Sequence, residues 1–417
     1  MSTEVKDSSS AAPAAVDPRL LVRESGVKGY IEDFQRRLKG GDLGALPVAI
    51  GLVIIWVTFY SLNENFLSPQ NLSNLALQIA ATGTISVGIV LVLLLGEIDL
   101  AVGSVSGLTG AVLAVLNVNQ GMSAGVAILA ALVAGAIVGA IHGFFFARVG
   151  VPSFIVTLAG LIGWQGLQLY VLGKEGTINL PYEGGVAMLT HTFFPHAVGF
   201  AIGAVIVAVY LLLDMAASRR RAKAGLPSRP ISESVIRALL IGVAIFVAVY
   251  VLNQAEGLPL ALVLFIGFVA AFDWILRRTR YGRMIFAVGG NAEAASRAGI
   301  NVRLVRISVY VLSSTMGAAG GVMAASRLFA VNQSSGGNNE LLNAIAAAVI
   351  GGTSLFGGRG STYSALLGML VIGSISNGMY LVQLDSSVQF MITGAVLLAA
   401  VVIDSVSRRG RQSSGRA

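Results

Sequence analysis

Long apolar runs alternate along this chain with short polar breaks, and their length is that of a membrane span. A bilayer core of about 30 Å takes about 20 apolar residues in a helix. Runs of that order lie at 44–62, 72–95, 100–117, 123–146, 153–173, 197–217, 235–253, 257–276, 304–329, 341–357, 361–383 and 386–405. Two of the twelve are irregular. The run at 100–117 starts directly after Glu97 and Asp99, and the run at 341–357 is short and ends in Gly351, Gly352, Gly357 and Gly358. Broken or re-entrant helices are expected there, a geometry tolerated where protein or a water-filled cavity covers the freed backbone. The pattern predicts an all-α, polytopic transmembrane helical bundle of about 10–12 membrane segments.

Lysine and arginine orient the bundle. With the N-terminus in the cytoplasm and one crossing per run, 26 of the 28 fall in cytoplasmic segments: residues 1–43, Arg148, 218–237, 277–306, Arg359 and 408–417. Only Lys174 and Arg327 lie elsewhere. Such a bias predicts both termini inside. It divides the chain into a cytoplasmic tail over 1–43, a membrane domain over 44–405 with a cytoplasmic loop at 277–306, and a second tail over 406–417. Residues 1–25, rich in Ser, Ala and charge, are expected to be disordered. The first apolar run starts too late and is too long for a cleaved signal. Ile31, Phe34 and Leu38 recur at helical spacing beside Arg36, Arg37 and Lys39. They fit a short amphipathic helix on the inner leaflet; a frayed extension of the first span fits the same residues equally well.

Composition narrows the class. Of 417 residues 55% are hydrophobic and 12% charged, and mean hydropathy is +0.80; soluble domains carry roughly 25% charged residues. The net charge of +8 sits in clusters, which suits a cytoplasmic membrane rim and not a nucleic-acid surface. The absence of cysteine excludes disulfides, thiolate metal sites and a cysteine nucleophile. With only His142, His191 and His196, no metal site is expected. Gly135, Gly139 and Gly143 recur on one helical face, and Gly103 and Gly107 repeat the spacing. Small residues there let helix backbones approach closely, a packing feature that does not by itself make a channel.

Acids inside a membrane are costly and are functional candidates by default. Glu97 and Asp99 flank a helix break, where freed backbone groups bind polar ligands; a cytoplasmic turn with solvated or capping carboxylates is the other reading. Asp273 and Asp404 sit at span ends next to basic loops and read as ion-pair partners. Asn377 lies within a span, suited to hydrogen bonding a polar solute or a neighbouring helix. Glu97, Asp99 and Asn377 are the candidate pathway residues. No Gly-x-x-x-x-Gly-Lys-Ser/Thr occurs, so nucleotide hydrolysis by this chain is not expected. Nor does any His/Asp/Ser set suggest catalysis. The classes left are transporter or channel.

The loop at 277–306 carries the most information. Asn291 is a good helix N-cap after Gly289 and Gly290, Glu293 suits the positive helix start, Ala292, Ala294, Ala295 and Ala298 favour helix, and Gly299 closes it. A helix of about eight residues is not stable alone. It sits in a groove on another protein or lies against its own membrane domain.

The segment from Gly289 to Asn301 resembles the coupling loop of the sugar-importing ABC permeases of the ribose/xylose group. Glu97-Ile98-Asp99-Leu100-Ala101-Val102-Gly103-Ser104, the stretch from Val151 to Gly160, and Ala348-Val349-Ile350-Gly351-Gly352-Thr353-Ser354-Leu355 resemble that family's motifs in its order. The likeness runs from about 44 to 405. Glu97 before Ile-Asp-Leu, and the extra pair of spans around Arg219-Arg220-Arg221-Ala222-Lys223, are xylose-type features. The resemblance implies a permease subunit that imports a monosaccharide, most like D-xylose, across a bacterial inner membrane. It implies a second permease copy, separate ABC ATPase subunits that use ATP and Mg, and a soluble sugar-binding protein outside. This chain would bind no cofactor and catalyse nothing. The family's coupling helix maps onto Gly290, Asn291, Glu293, Ala294, Ala295, Ala298, Gly299 and Ile300. Two other classes remain open: a self-sufficient secondary transporter, proton-coupled through Glu97, Asp99 or His142, and a membrane scaffold without a transport path.

Overall fold

The computed structural model describes residues 46–225 and 231–413. The disordered segment and amphipathic helix expected within 1–43, and the last residues of the C-terminal tail, lie outside the described residues. All twelve apolar runs are helical. They form α1 (Leu46–Leu62), α2 (Pro69–Leu94), α3 (Val102–Ala114), α4 (Ala124–Phe144), α5 (Ser153–Leu172), and, after a short α6 (Met188–His191), α7 (His196–Lys223) and α8 (Ile231–Asn253). Then follow α9 (Leu260–Arg278), α10 (Arg280–Gly290), α11 (Ala292–Arg297), α12 (Val302–Leu328), α13 (Asn338–Ile350), α14 (Tyr363–Leu381) and α15 (Ser386–Ser413). Among the described residues nine helices are long and apolar enough to cross a membrane.

The two irregular runs differ in kind. The run after Asp99 becomes α3 and reaches 18 residues only by adding a π-helical turn, Val115–Asn119. The run at 341–357 breaks: α13 has 13 residues, about 20 Å at 1.5 Å per residue, and ends at Ile350 in a glycine-rich turn. The last described helix runs on to Ser413, so the expected tail is helical over 406–413.

The chain divides into two compact units, residues 1–42 with 200–247, and residues 43–199 with 248–417. In the described part of the first, the bodies of α7 and α8 form a hairpin. Ser234 donates to Asp214 Oδ2 at 2.6 Å, and the Phe200 and Phe246 rings stack at 6.1 Å.

In the second unit α2 is the central helix, its apolar window 94% buried. Ser68 caps it, accepting from the Asn71 amide, with Pro69 at the first helical position. The glycine stripe of α4 meets α12. A Cβ at Gly135 would lie 2.7 Å from Ala318 and one at Gly143 2.7 Å from the Ile307 backbone, while one at Gly139 would strike the Tyr310 carbonyl. Gly103 and Gly107 of α3 instead admit the turn at 335–337.

Pairings and contacts define the two ends of this unit. At one, β1 (Thr177–Asn179) pairs antiparallel with β4 (Ala330–Asn332), and β2 (Phe193–Phe194) with β3 (Leu258–Pro259). At the other, the Gly358 amide donates to the Leu94 carbonyl at 2.9 Å. Gly289 lies so close to that carbonyl that a Cβ has no room. The α2–α3 break, the α10–α11 segment and the glycine-rich turn therefore meet at one end.

Candidate functional site

A cavity of about 1380 Å³ lies in the second unit, in the half nearer the β1–β4 pairing, lined by α2, α5 and α12–α15. α2 contributes Asn71, Asn74, Gln78 and Thr82, a spacing of three and four residues that keeps them on one helical face. Gln165, Asn343, Arg327 and Glu340 come from the other helices, with Tyr380 and Phe390. The side chains of Asn74, Gln78, Gln165, Asn343 and Arg327 have no hydrogen bond to protein among the described residues. Their donors and acceptors are free for a solute. Thr82 donates to Glu340 Oε2 at 2.8 Å. An amide- and hydroxyl-lined space of this kind binds neutral polar molecules through hydrogen bonds. Among the described residues no group of three or more His, Cys, Asp or Glu is placed to hold a metal ion.

Asn377 lines this cavity, but its amide is committed to a neighbouring helix. Asn71 Nδ2 donates to Asn377 Oδ1 at 2.7 Å and Asn377 Nδ2 returns the bond at 3.0 Å. Asn71 Nδ2 also donates to the Phe66 carbonyl at 2.8 Å. Of its two readings, the helix-to-helix bond is the one this geometry displays.

Glu97 and Asp99 do not line the cavity. They sit at the α2–α3 break, where Gly96 turns the chain with φ +78°. Ser153 donates to Glu97 Oε2 at 2.5 Å, and Arg306 Nη2 lies 3.8 Å from Oε1. The Arg306 guanidinium in turn covers the Phe146 ring at 4.6 Å. Asp99, 2% exposed, accepts from the Ala101 amide at 2.9 Å, just ahead of α3. His142 lies close by, its Nε2 accepting from Trp164 at 2.7 Å. Asp99 Oδ2 and His142 Nδ1 are buried without a hydrogen-bond partner. The pair that reads as pathway in the sequence thus joins α3, α5 and α12. Its position is fixed by which helices bring Ser153, Arg306 and His142 to the break, and local sequence does not carry that. Of the span-end acids, Asp273 accepts from Arg277 at 2.8 Å and from Ser361 at 3.0 Å.

The loop over 277–306 is two helices, with a cap opening each one and the span that follows. Thr279 accepts from the Gly282 amide at 3.1 Å, Asn291 from Ala294 at 2.9 Å and Asn301 from Leu304 at 3.0 Å. The expected helix after Asn291 has six residues, α11, and Gly299 closes it at φ +85° with Ile300 N donating to the Ala295 carbonyl. α10 before it has no counterpart in the sequence reading. Tyr281 of α10 exchanges a 2.7 Å bond with Ser308; burial pushes its phenol pKa up and that bond pulls it down. Gly290, Asn291, Glu293, Ala294, Ala298 and Gly299 are exposed. Ala295 is not: at 5% exposure it packs into the chain's own core, with Ala292 and Ile300 half-buried beside it. The α11 surface open to a partner is therefore the opposite one.

Sequence reasoning missed most of the cavity. Two signals were present. Asn71, Asn74 and Gln78 form a polar stripe in an apolar helix, and Arg327 is one of two basic residues outside the cytoplasmic clusters.

A family model described as "Branched-chain amino acid transport system / permease component" matches residues 71–401. The chain is 38% identical over 366 residues to the xylose transport system permease protein XylH of Escherichia coli K12, which covers 88% of this chain and 91% of that protein. It is 33% identical over 374 residues to the protein of the same name from Haemophilus influenzae, covering 89% and 99%. It is 31% identical over 364 residues to the ribose import permease protein RbsC of Bacillus subtilis, covering 87% and 94%. No solved structure matches the chain.

Proposed function

Because the chain belongs to the branched-chain amino acid transport system permease family, we propose that it is the membrane-spanning permease subunit of an ABC importer that carries a monosaccharide, D-xylose in the first instance, into the cytoplasm. It is a multi-pass permease, a transporter component and not an enzyme. The observation that carries the sugar reading is the cavity. Its unpaired amides and hydroxyls match a neutral polyol, and they lie in a chain related over most of its length to xylose and ribose permeases.

In this reading the β1–β4 end faces outside, as the basic residues partition, and a soluble binding protein delivers sugar there. Two permease copies form the pathway within the bacterial inner membrane, and both termini are cytoplasmic. ATP and Mg act on separate ATPase subunits docked at the other end. The exposed residues of α11 and its two flanks, Gly290, Asn291, Glu293, Ala294, Ala298 and Gly299, meet the ATPase, while Ala295 and Ile300 hold the helix to the permease. Motion at α11 reaches the membrane domain through α12, which follows it after four residues. The contacts with sugar are hydrogen bonds in a wide, wet space, weak enough to release it.

The proton-coupled alternative loses its best support, since Glu97, Asp99 and His142 lie away from the cavity. Reconstitution in liposomes tests the proposal. Xylose uptake should require the ATPase, ATP inside and the binding protein, and should exceed that of ribose and galactose. Uptake by the permease alone, driven by a proton gradient, would overturn it. Orientation is checked by single-cysteine labelling, clean in a chain without cysteine; labelling of Ser296→Cys from outside contradicts the topology.

A further inference from the structure

Arg327 is an anomaly for an apolar bundle. It sits in the last turn of α12, half-buried, facing a cavity and away from every basic cluster. A charge in a spanning helix is expensive and ordinarily has a partner or a task. Its electrostatic partners are Glu340 and Tyr380. Glu340 and Arg327 line the same cavity yet form no ion pair within 4.0 Å, and Glu340 instead accepts a hydrogen bond from Thr82. Two opposite charges that face one space without closing on each other leave a gap between them.

We propose that Arg327 and Glu340 are the specificity-determining pair of the cavity, holding between them one neutral polyhydroxylated solute whose hydroxyls donate to Glu340 and accept from Arg327. The assignment rests on the sugar-permease reading and deepens it. A hydroxyl both donates and accepts, so one solute satisfies a carboxylate that only accepts and a guanidinium that only donates. The two charges cancel, so the solute need carry none. A zwitterion would also neutralise them, but it would leave Asn74, Gln78, Gln165 and Asn343 without work. Tyr380 and Phe390, 65% and 57% exposed at the cavity wall, offer apolar ring faces to the C–H side of a sugar ring. The cavity is far larger than one monosaccharide, and the pair marks where within it the solute pauses.

The test uses the complete reconstituted importer, with the binding protein saturated by D-xylose or by its 2-, 3- or 4-deoxy analogue. The initial rate of solute uptake at saturating ATP is read for wild type, Glu340→Gln and Arg327→Lys. In wild type, at least one deoxy analogue should move about 10-fold more slowly than xylose, the value of one hydrogen bond to a charged group. In Glu340→Gln or Arg327→Lys, xylose itself should slow by a similar factor, and the gap to that analogue should shrink to near none. A structural role predicts the opposite pattern, with all four sugars slowed in parallel and the gap kept. That pattern, or wild type indifferent to every deoxygenation, overturns the pair's role while leaving the sugar-permease reading intact. Wild type that moves no sugar at all, or moves an amino acid in its place, overturns the reading and the pair with it. Arg327→Lys keeps the charge and removes the planar fork, so it serves where Glu340→Gln does not assemble.

Discussion

The two ends of the larger unit use polar residues in opposite ways. At the α2–α3 break, carboxylates are held by the chain itself: Glu97 by Ser153 and Arg306, Asp99 by the Ala101 amide. In the cavity, the side chains of Asn74, Gln78, Gln165, Asn343 and Arg327 make no hydrogen bond to protein among the described residues. A polar group inside a membrane has two ways to avoid its desolvation cost, an internal partner or a wet space. The first builds structure and the second leaves a group free for solute. An intramembrane charge therefore says that one of the two is happening, and only its surroundings say which.

The contrast makes graded predictions. The largest effect is expected at Asp99→Ala, which leaves the buried Ala101 amide without its partner. It should lower the permease's own stability by about 3 kcal/mol, read as a drop in the unfolding midpoint of the purified protein. If stability holds and only transport falls, the break belongs with the cavity and the comparison fails. Ala295→Trp comes next. Because Ala295 faces the core, the indole overpacks it and should cost about 2 kcal/mol of permease stability. Ala298→Trp, at the exposed end just after α11, should leave stability alone and weaken ATPase co-purification and transport. Wild-type ATPase retention by Ala298→Trp would remove that face from the docking surface.

A smaller effect is expected for the Asn71–Asn377 pair, where a double-mutant cycle to alanine should return a coupling of about 0.6 kcal/mol, the average for hydrogen bonds between membrane helices. A coupling near zero would mean that Asn377 is free for solute after all. Asn74→Leu should change stability by less than about 0.5 kcal/mol while slowing sugar transport, since the side-chain amide has no partner to lose among the described residues. The smallest effect belongs to the Glu293–Arg297 pair, both side chains more than three-quarters exposed. Arg297→Ala should leave stability almost unchanged; a clear loss would show that α11 is held to its own domain by this face as well.

Much of the fold was legible in the chain. Each of the twelve apolar runs became a helix, because an apolar stretch of that length has no other way to satisfy its backbone in lipid. Asn291 and Gly299 marked the ends of α11, because caps depend on the side chain and φ of single residues. The small-residue stripe at Gly135, Gly139 and Gly143 was legible as packing. Other features were not legible. α10 escaped notice because a short helix holding Arg280, Arg283 and Gly282 has weak local preference and is stabilised by burial of Ile285 and Val288. The inward turn of Ala295 depends on what α11 packs against.

What the sequence determined by itself is what depends on near neighbours in the chain: the helical kind of the apolar runs, the caps, the breaks near Gly96 and after Ile350, and the class of permease through its motifs. What only the tertiary structure decided is which polar residues are used up and which are free. Asn377 and Asn71 are 306 positions apart and bond each other, Glu97 finds Arg306 across the bundle, and Arg327 and Glu340 line one cavity that no single helix contains. A hydrogen bond acts over about 3 Å of space and takes no account of distance along the chain. The same residue type therefore reads alike in sequence and does opposite work in the fold.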